Sequence, residues 1–330
     1  MLFRSTTPKV TETQLLDKYI LPKVALTVIT LASFIGTWLT MTTHGAGTWS
    51  QVLLRWLHLI SLAFLTGGYM WKALFTRRAQ KAAQQQAFSA FTAGQFKLFR
   101  SLTRIVLPVF VVSAFWDILR FGRWGVGALI WVEVMLVLVL ALVISYDAFV
   151  PSKNTDPYSE RPLAAAALVL LLLNALVQGA FDVTLAQGGQ LTALLLRWLH
   201  LGAFGLWFGG AVWNIFIAVP AARDIVSVPV VIAAGGQLER FRVAVRMILP
   251  TLIITGLMQA YAYVGFNLSL LVNSSFGLLI MAKLALVVTL IAIFLTCPLW
   301  RACSPIAGMC KLDDLHEAER VERVMHPDPS

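Results

Sequence analysis

Charge is scarce in this chain. Of 330 residues only 13% are Asp, Glu, Lys or Arg, where a soluble domain carries roughly 25%. With 58% hydrophobic residues and a mean hydropathy of +0.78, this excludes an ordinary soluble domain and points to several membrane crossings. Acidic residues are the scarcer sign, 16 against 26 Lys and Arg, for a net charge of +10. The excess is not scattered. It gathers in one alternating set of connections and the two termini, and only Arg120 and Arg123 fall in the opposite set. Such one-sidedness is the positive-inside signature, so the basic balance reports topology and not a nucleic-acid partner.

Cysteine is nearly absent too. Cys297, Cys303 and Cys310 all fall at or beyond the end of the last apolar run. Their expected side is the cytoplasm, where thiols stay reduced, so no disulfide framework is expected. The chain also lacks a Walker A pattern, a Rossmann glycine fingerprint, H-E-x-x-H and G-x-S-x-G. Neither a built-in ATPase nor a hydrolase is expected, and the chain does not read as an enzyme. Any transport would run down a gradient or depend on partner proteins.

What the chain has in abundance is long apolar runs. Eight of near-spanning length cover 21–42, 51–75, 102–120, 125–149, 162–181, 190–218, 244–265 and 276–299. They are continuous and not alternating, which excludes the strands of an outer-membrane barrel. The first is too long for the core of a secretory signal and is taken as a span. Residues 1–20 and 300–330 are expected as cytoplasmic tails. The polar segment 151–161 is expected as a cytoplasmic linker between two halves, 21–150 and 162–299.

The halves resemble one another. A shift of 142 residues matches Leu53–Trp71 with Leu195–Trp213 at ten of nineteen positions. It also aligns Phe99, Arg100, Arg104, Leu107 and Pro108 with Phe241, Arg242, Arg246, Leu249 and Pro250. A shift of 150 pairs Gly127, Leu129 and Ile130 with Gly277, Leu279 and Ile280. Four spans per half give both halves one orientation, so the expected fold is an all-α membrane protein. Its eight transmembrane helices form two parallel four-helix repeats about an axis along the membrane normal.

The centre of each repeat is R-W-L-H-L followed by G-G and Trp: Arg55 to Leu59, Gly67, Gly68 and Trp71, then Arg197 to Leu201, Gly209, Gly210 and Trp213. An ionisable residue at lipid depth is costly and defaults to a functional hypothesis. His58 lies six residues past Val52, about 9 Å into the apolar layer from the expected external side, and His200 matches it. Glu133 and Lys283 occupy corresponding places in spans four and eight, where an ion pair between them would dock the halves. Asp117 has Gln259 as its counterpart. The first half therefore gathers His44, His58, Asp117 and Glu133 towards one side, which makes it the better candidate for cation capture. Met41 and His44 stand at the mouth of span one, and thioether with imidazole suits copper(I). The alternative reading of His58 and His200 is hydrogen-bonded packing inside the bundle.

At these residues the chain resembles the CopD copper-resistance family of bacterial inner-membrane proteins. The likeness rests on W-L-H-L with a following G-G and on the lysine of L-L-I-M-A-K-L-A-L, Leu278 to Leu286. It is strongest over 190–300. The resemblance implies an eight-span protein of the bacterial cytoplasmic membrane handling copper, often beside a small periplasmic copper-binding protein. His58 and His200 are the principal candidate ligands, with His44, Met41, Glu133 and Asp117 beside them. Two rivals differ in kind. One is a haem b electron-transfer subunit with His58 and His200 as axial ligands. The other is a structural membrane subunit of a larger complex.

Overall fold

The computed structural model describes residues 12–43, 48–121, 127–150, 156–187, 189–223, 225–265 and 268–296, and these are helical almost throughout. The helices are α1 (Glu12–Thr43), α2 (Trp49–Met70), α3 (Gln85–Phe121), α4 (Gly127–Phe149), α5 (Arg161–Gln187), α6 (Leu191–Trp213), α7 (Val219–Arg223), α8 (Val228–Val264), α9 (Leu268–Asn273) and α10 (Ser275–Thr296). Among the described residues, eight helices are long and apolar enough to cross a membrane. A helix satisfies its own backbone hydrogen bonds, which is what an apolar run of this length requires in lipid. Large apolar side chains such as Ile105, Leu119, Trp131 and Leu142 stay exposed on the outside of the bundle, as a lipid-facing surface demands.

Two helices differ from the expected runs. α3 begins at Gln85 and α8 at Val228, well before the apolar stretches at 102 and 244. The extra turns of α3 carry a buried stripe, Phe91, Gln95, Phe96 and Phe99, whose spacing keeps one face against the core. The helix therefore continues past the purely apolar segment, because amphipathic packing sustains it where hydropathy alone would end it.

α2 and α6 form the centre, with most of their length buried, while α1, α4, α8 and α10 are largely exposed. The two central helices meet along Ala63, Thr66 and Gly67 of α2 and Gly205 and Gly209 of α6. Small residues permit this approach. Next to it, Gly68 lies under the Phe99 ring and Gly210 under the Phe241 ring, each leaving no room for a Cβ. Beyond the glycines each helix widens into a π-turn, Trp71–Phe75 and Asn214–Ala218. There Trp71 and Trp213 stack with centroids 5.9 Å apart, and Gln95 and Gln237 exchange amide hydrogen bonds of 2.8 and 3.2 Å.

Neither half of the chain stands alone. α5, from the second half, packs on α4 and α2 of the first, and α1 packs on α10. The segment leading into α5 is likewise anchored. Asp156 caps a short turn at Pro157–Glu160, and Glu160 pairs with Lys72 and Arg100 of the first half.

Candidate functional site: an intramembrane charge cluster

Arg55 is two turns into α2 and only 2% exposed. A guanidinium there requires partners, since an isolated buried charge costs several kcal/mol or more. Two helices supply them. Arg55 Nη1 donates to Asp117 Oδ2 of α3 at 2.6 Å and to Gln178 Oε1 of α5, and Nη2 donates to Asp182 Oδ1 of α5 at 3.1 Å. Asp182 is shared. Its Oδ2 accepts from Nε and Nη2 of Arg197 at 2.8 and 2.7 Å, so one carboxylate joins the arginines of α2 and α6. Arg197 Nη1 also reaches Gln259 Oε1 at 3.3 Å.

Gln178 passes the network on. Its amide donates to Glu133 Oε1 at 2.8 Å, where Asn174 also donates at 2.9 Å. Glu133 is fully buried, and its Oε2 has no partner among the described residues. The expected pair of Glu133 with Lys283 does not form. α4 lies against α3 and α5, whereas α10 lies against α1 and α9, so the two side chains face different neighbours. Glu133 points to the amides of α5. The Lys283 ammonium stands beside Gly36 of α1, where a Cβ would be 2.8 Å from Nζ.

The two histidines occupy matching but separate places. His58 is wholly buried, stacked on Phe110 at 5.1 Å, with Ser113 Oγ 3.5 Å from Nδ1. Its Nε2 has no partner among the described residues, and neither has Asp117 Oδ1 nearby. His200 is partly buried, with Nδ1 3.0 Å from Thr255 Oγ1. His58 thus faces α3 and His200 faces α8. Gly67, nine residues on from His58, is about 180° round α2, and it is Gly67 that meets α6. The two imidazoles point away from the α2–α6 contact and do not flank a common group. Phe110 covers one face of the His58 ring.

Met41 is buried on α1, next to Thr40, whose hydroxyl oxygen accepts from Arg197 Nη2 at 3.5 Å. His44 and the three cysteines lie outside the described residues. Among the described residues no group of three or more His, Cys, Asp and Glu side chains is arranged to hold a metal ion.

A second charge cluster lies at the other end of α2 and does not emerge from the repeated motif. Lys72, fully buried in the π-turn, pairs with Asp147 of α4 and with Glu160 at 2.6 Å. Tyr69 donates to Asp147 at 3.0 Å, and Arg100 holds Glu160 at 2.9 Å. Lys72 is a lone cation late in an apolar run, which is the signal that marks it in the sequence. Asn174, Gln178 and Asp182 carried a signal as well. Their spacing of four places them on one face of a helix inside an apolar run.

Comparison with known proteins finds no matching family model, no matching curated protein and no matching solved structure.

Proposed function

We propose that this polytopic membrane protein handles a cation within the bilayer, and that the cation is copper, as the resemblance to the CopD family implies. The observation that carries the reading is the charge balance of the buried network. Two guanidinium groups, Arg55 and Arg197, face three carboxyl groups, Asp117, Asp182 and Glu133. The odd carboxyl is Glu133, hydrogen-bonded only to amides and with one oxygen unpartnered. A surplus of buried acid favours an incoming cation, and the unpartnered Nε2 of His58 is the softest donor in that neighbourhood.

His58 is the better candidate of the two histidines. His200 shares its surroundings with Arg197 and Lys283, and like charges oppose a metal cation there. Copper is the cargo of the protein and not a resident cofactor. Asp117 and Glu133 supply the compensating charge, and Arg55 fixes Asp117.

The reading includes two parallel repeats related by a pseudo-twofold axis between α2 and α6. Contacts between positions 142 residues apart support it, namely Gly67 with Gly209, Trp71 with Trp213 and Gln95 with Gln237. With the basic connections inside, both termini are cytoplasmic and the Arg55 network faces the periplasmic half of the inner membrane. A periplasmic copper-binding protein would then deliver to that side.

The test is reconstitution into sealed vesicles under a copper(I) gradient. Copper should enter faster than into protein-free vesicles, and Glu133→Gln should slow it about tenfold, the scale of one lost charge interaction. Entry at the rate of empty vesicles would overturn the transport reading.

A further inference from the structure

A cleft opens beside the Arg55 network and shares Arg197 and Gln259 with it. It has a volume of about 230 Å³ and runs between the α1–α10 pair and α6 and α8. Its walls are mostly apolar, with Leu252, Leu284, Trp56 and Trp207 among them, yet three basic side chains reach it: Arg197, His200 and Lys283. Among the described residues no Asp or Glu lines it.

The three are not equivalent. Arg197 is already held by Asp182, and His200 by Thr255. Lys283 has no hydrogen bond or ion pair among the described residues, and its ammonium stands beside Gly36, a position with no side chain of its own to offer. A cation in an apolar wall without a counterion is costly. It becomes favourable when an anion comes to it. α10 is packed on α1 and α9, and it makes no substantial contact with α8. Leu257 of α8, on the cleft wall, is 49% exposed.

We propose that this cleft binds a single-chain anionic lipid, a free long-chain carboxylate, with its head against the Lys283 ammonium and its alkyl chain along Leu252, Leu284 and Trp207. One negative charge matches one unneutralised cation, and the apolar walls match the chain. Charge complementarity favours a carboxylate over an uncharged amphiphile. A single chain suits a cleft of this size better than a two-chain phospholipid. The proposal is independent of the copper reading, because neither Asp117, Glu133 nor His58 lines the cleft.

Brominated acyl chains quench indole fluorescence on contact, and Trp56 and Trp207 both line the cleft. The full chain in a neutral maltoside detergent is titrated with a brominated fatty acid, its methyl ester and brominated phosphatidylglycerol. The acid should give saturable quenching that shrinks in a Trp207→Phe variant. Lys283→Met should weaken it about tenfold or more, the scale of one charge-assisted hydrogen bond, while Lys283→Arg retains it. Circular dichroism and gel filtration establish that each variant is folded. Equal binding of the methyl ester would overturn the role of Lys283. Saturable quenching by the phospholipid alone would overturn the single-chain assignment, and no saturable quenching by any of the three would overturn the site.

Discussion

Gly67 and Gly209 meet so closely that a Cβ on Gly209 would lie 2.7 Å from Gly67 Cα and 2.5 Å from Ala63 O. The backbones of α2 and α6 are in contact there. Gly209→Ala should therefore destabilise the protein by about 1–3 kcal/mol, the usual scale of overpacking, and more if the helices are forced apart. Gly205→Ala, whose Cβ would meet Thr66 Cβ at 3.3 Å, should cost less. Gly127, with nothing within 4 Å, is the control. Thermal unfolding in detergent ranks the three.

Arg55 is the neutralising centre of two acids. Arg55→Met leaves Asp117 with no counterion among the described ion pairs and Asp182 with Arg197 alone, and should cost about 3–5 kcal/mol. Asp117→Asn should cost less, because Arg55 keeps Asp182 and Gln178. Equal losses of thermal stability in the two variants would contradict this division.

The second cluster is predicted to be coupled. Lys72→Met alone leaves Asp147 with only the Tyr69 hydroxyl, and Asp147→Asn alone leaves Lys72 with Glu160. A double-mutant cycle should show a coupling of about 0.5–3 kcal/mol, the double variant being less unstable than the sum of the singles. Additive effects would mean that the two groups do not depend on one another.

The fold was legible in the sequence to the extent that hydropathy controls it. Each of the eight runs overlaps a helix long and apolar enough to cross a membrane, and the R-W-L-H-L motifs fall on the central pair. Helix partners were not legible in the same way. Hydropathy and the internal match say which segments are helices and which resemble one another, but not that α5 packs on α4. That choice follows from the face on which Asn174, Gln178 and Asp182 lie, because they satisfy Glu133 and Arg55. The expectation of a Glu133–Lys283 pair took two charges at corresponding places to be neighbours. Glu133 on α4 and Lys283 on α10 are instead packed against different helices. The roles of Arg55 and Lys72 were hidden because a cation in an apolar run does not name its acid.

Orientation rests on charge distribution, and it is checked from the start of α2. Ser50, exposed at that end, is changed to cysteine in a background lacking Cys297, Cys303 and Cys310. A membrane-impermeant thiol reagent should label it in intact cells. Labelling only after lysis would reverse the topology and place the Arg55 network on the cytoplasmic side.

The central claim, that the buried network around His58 and Glu133 receives copper, is tested most directly by titrating the purified protein with copper(I) against a chromophoric chelator. The intact chain should compete for the ion. His58→Ala and Glu133→Gln should each weaken binding about tenfold or more, while His200→Ala, whose imidazole sits among cations, should leave it unchanged. Undiminished copper binding in His58→Ala and Glu133→Gln, or no copper binding by the intact chain, would contradict the account.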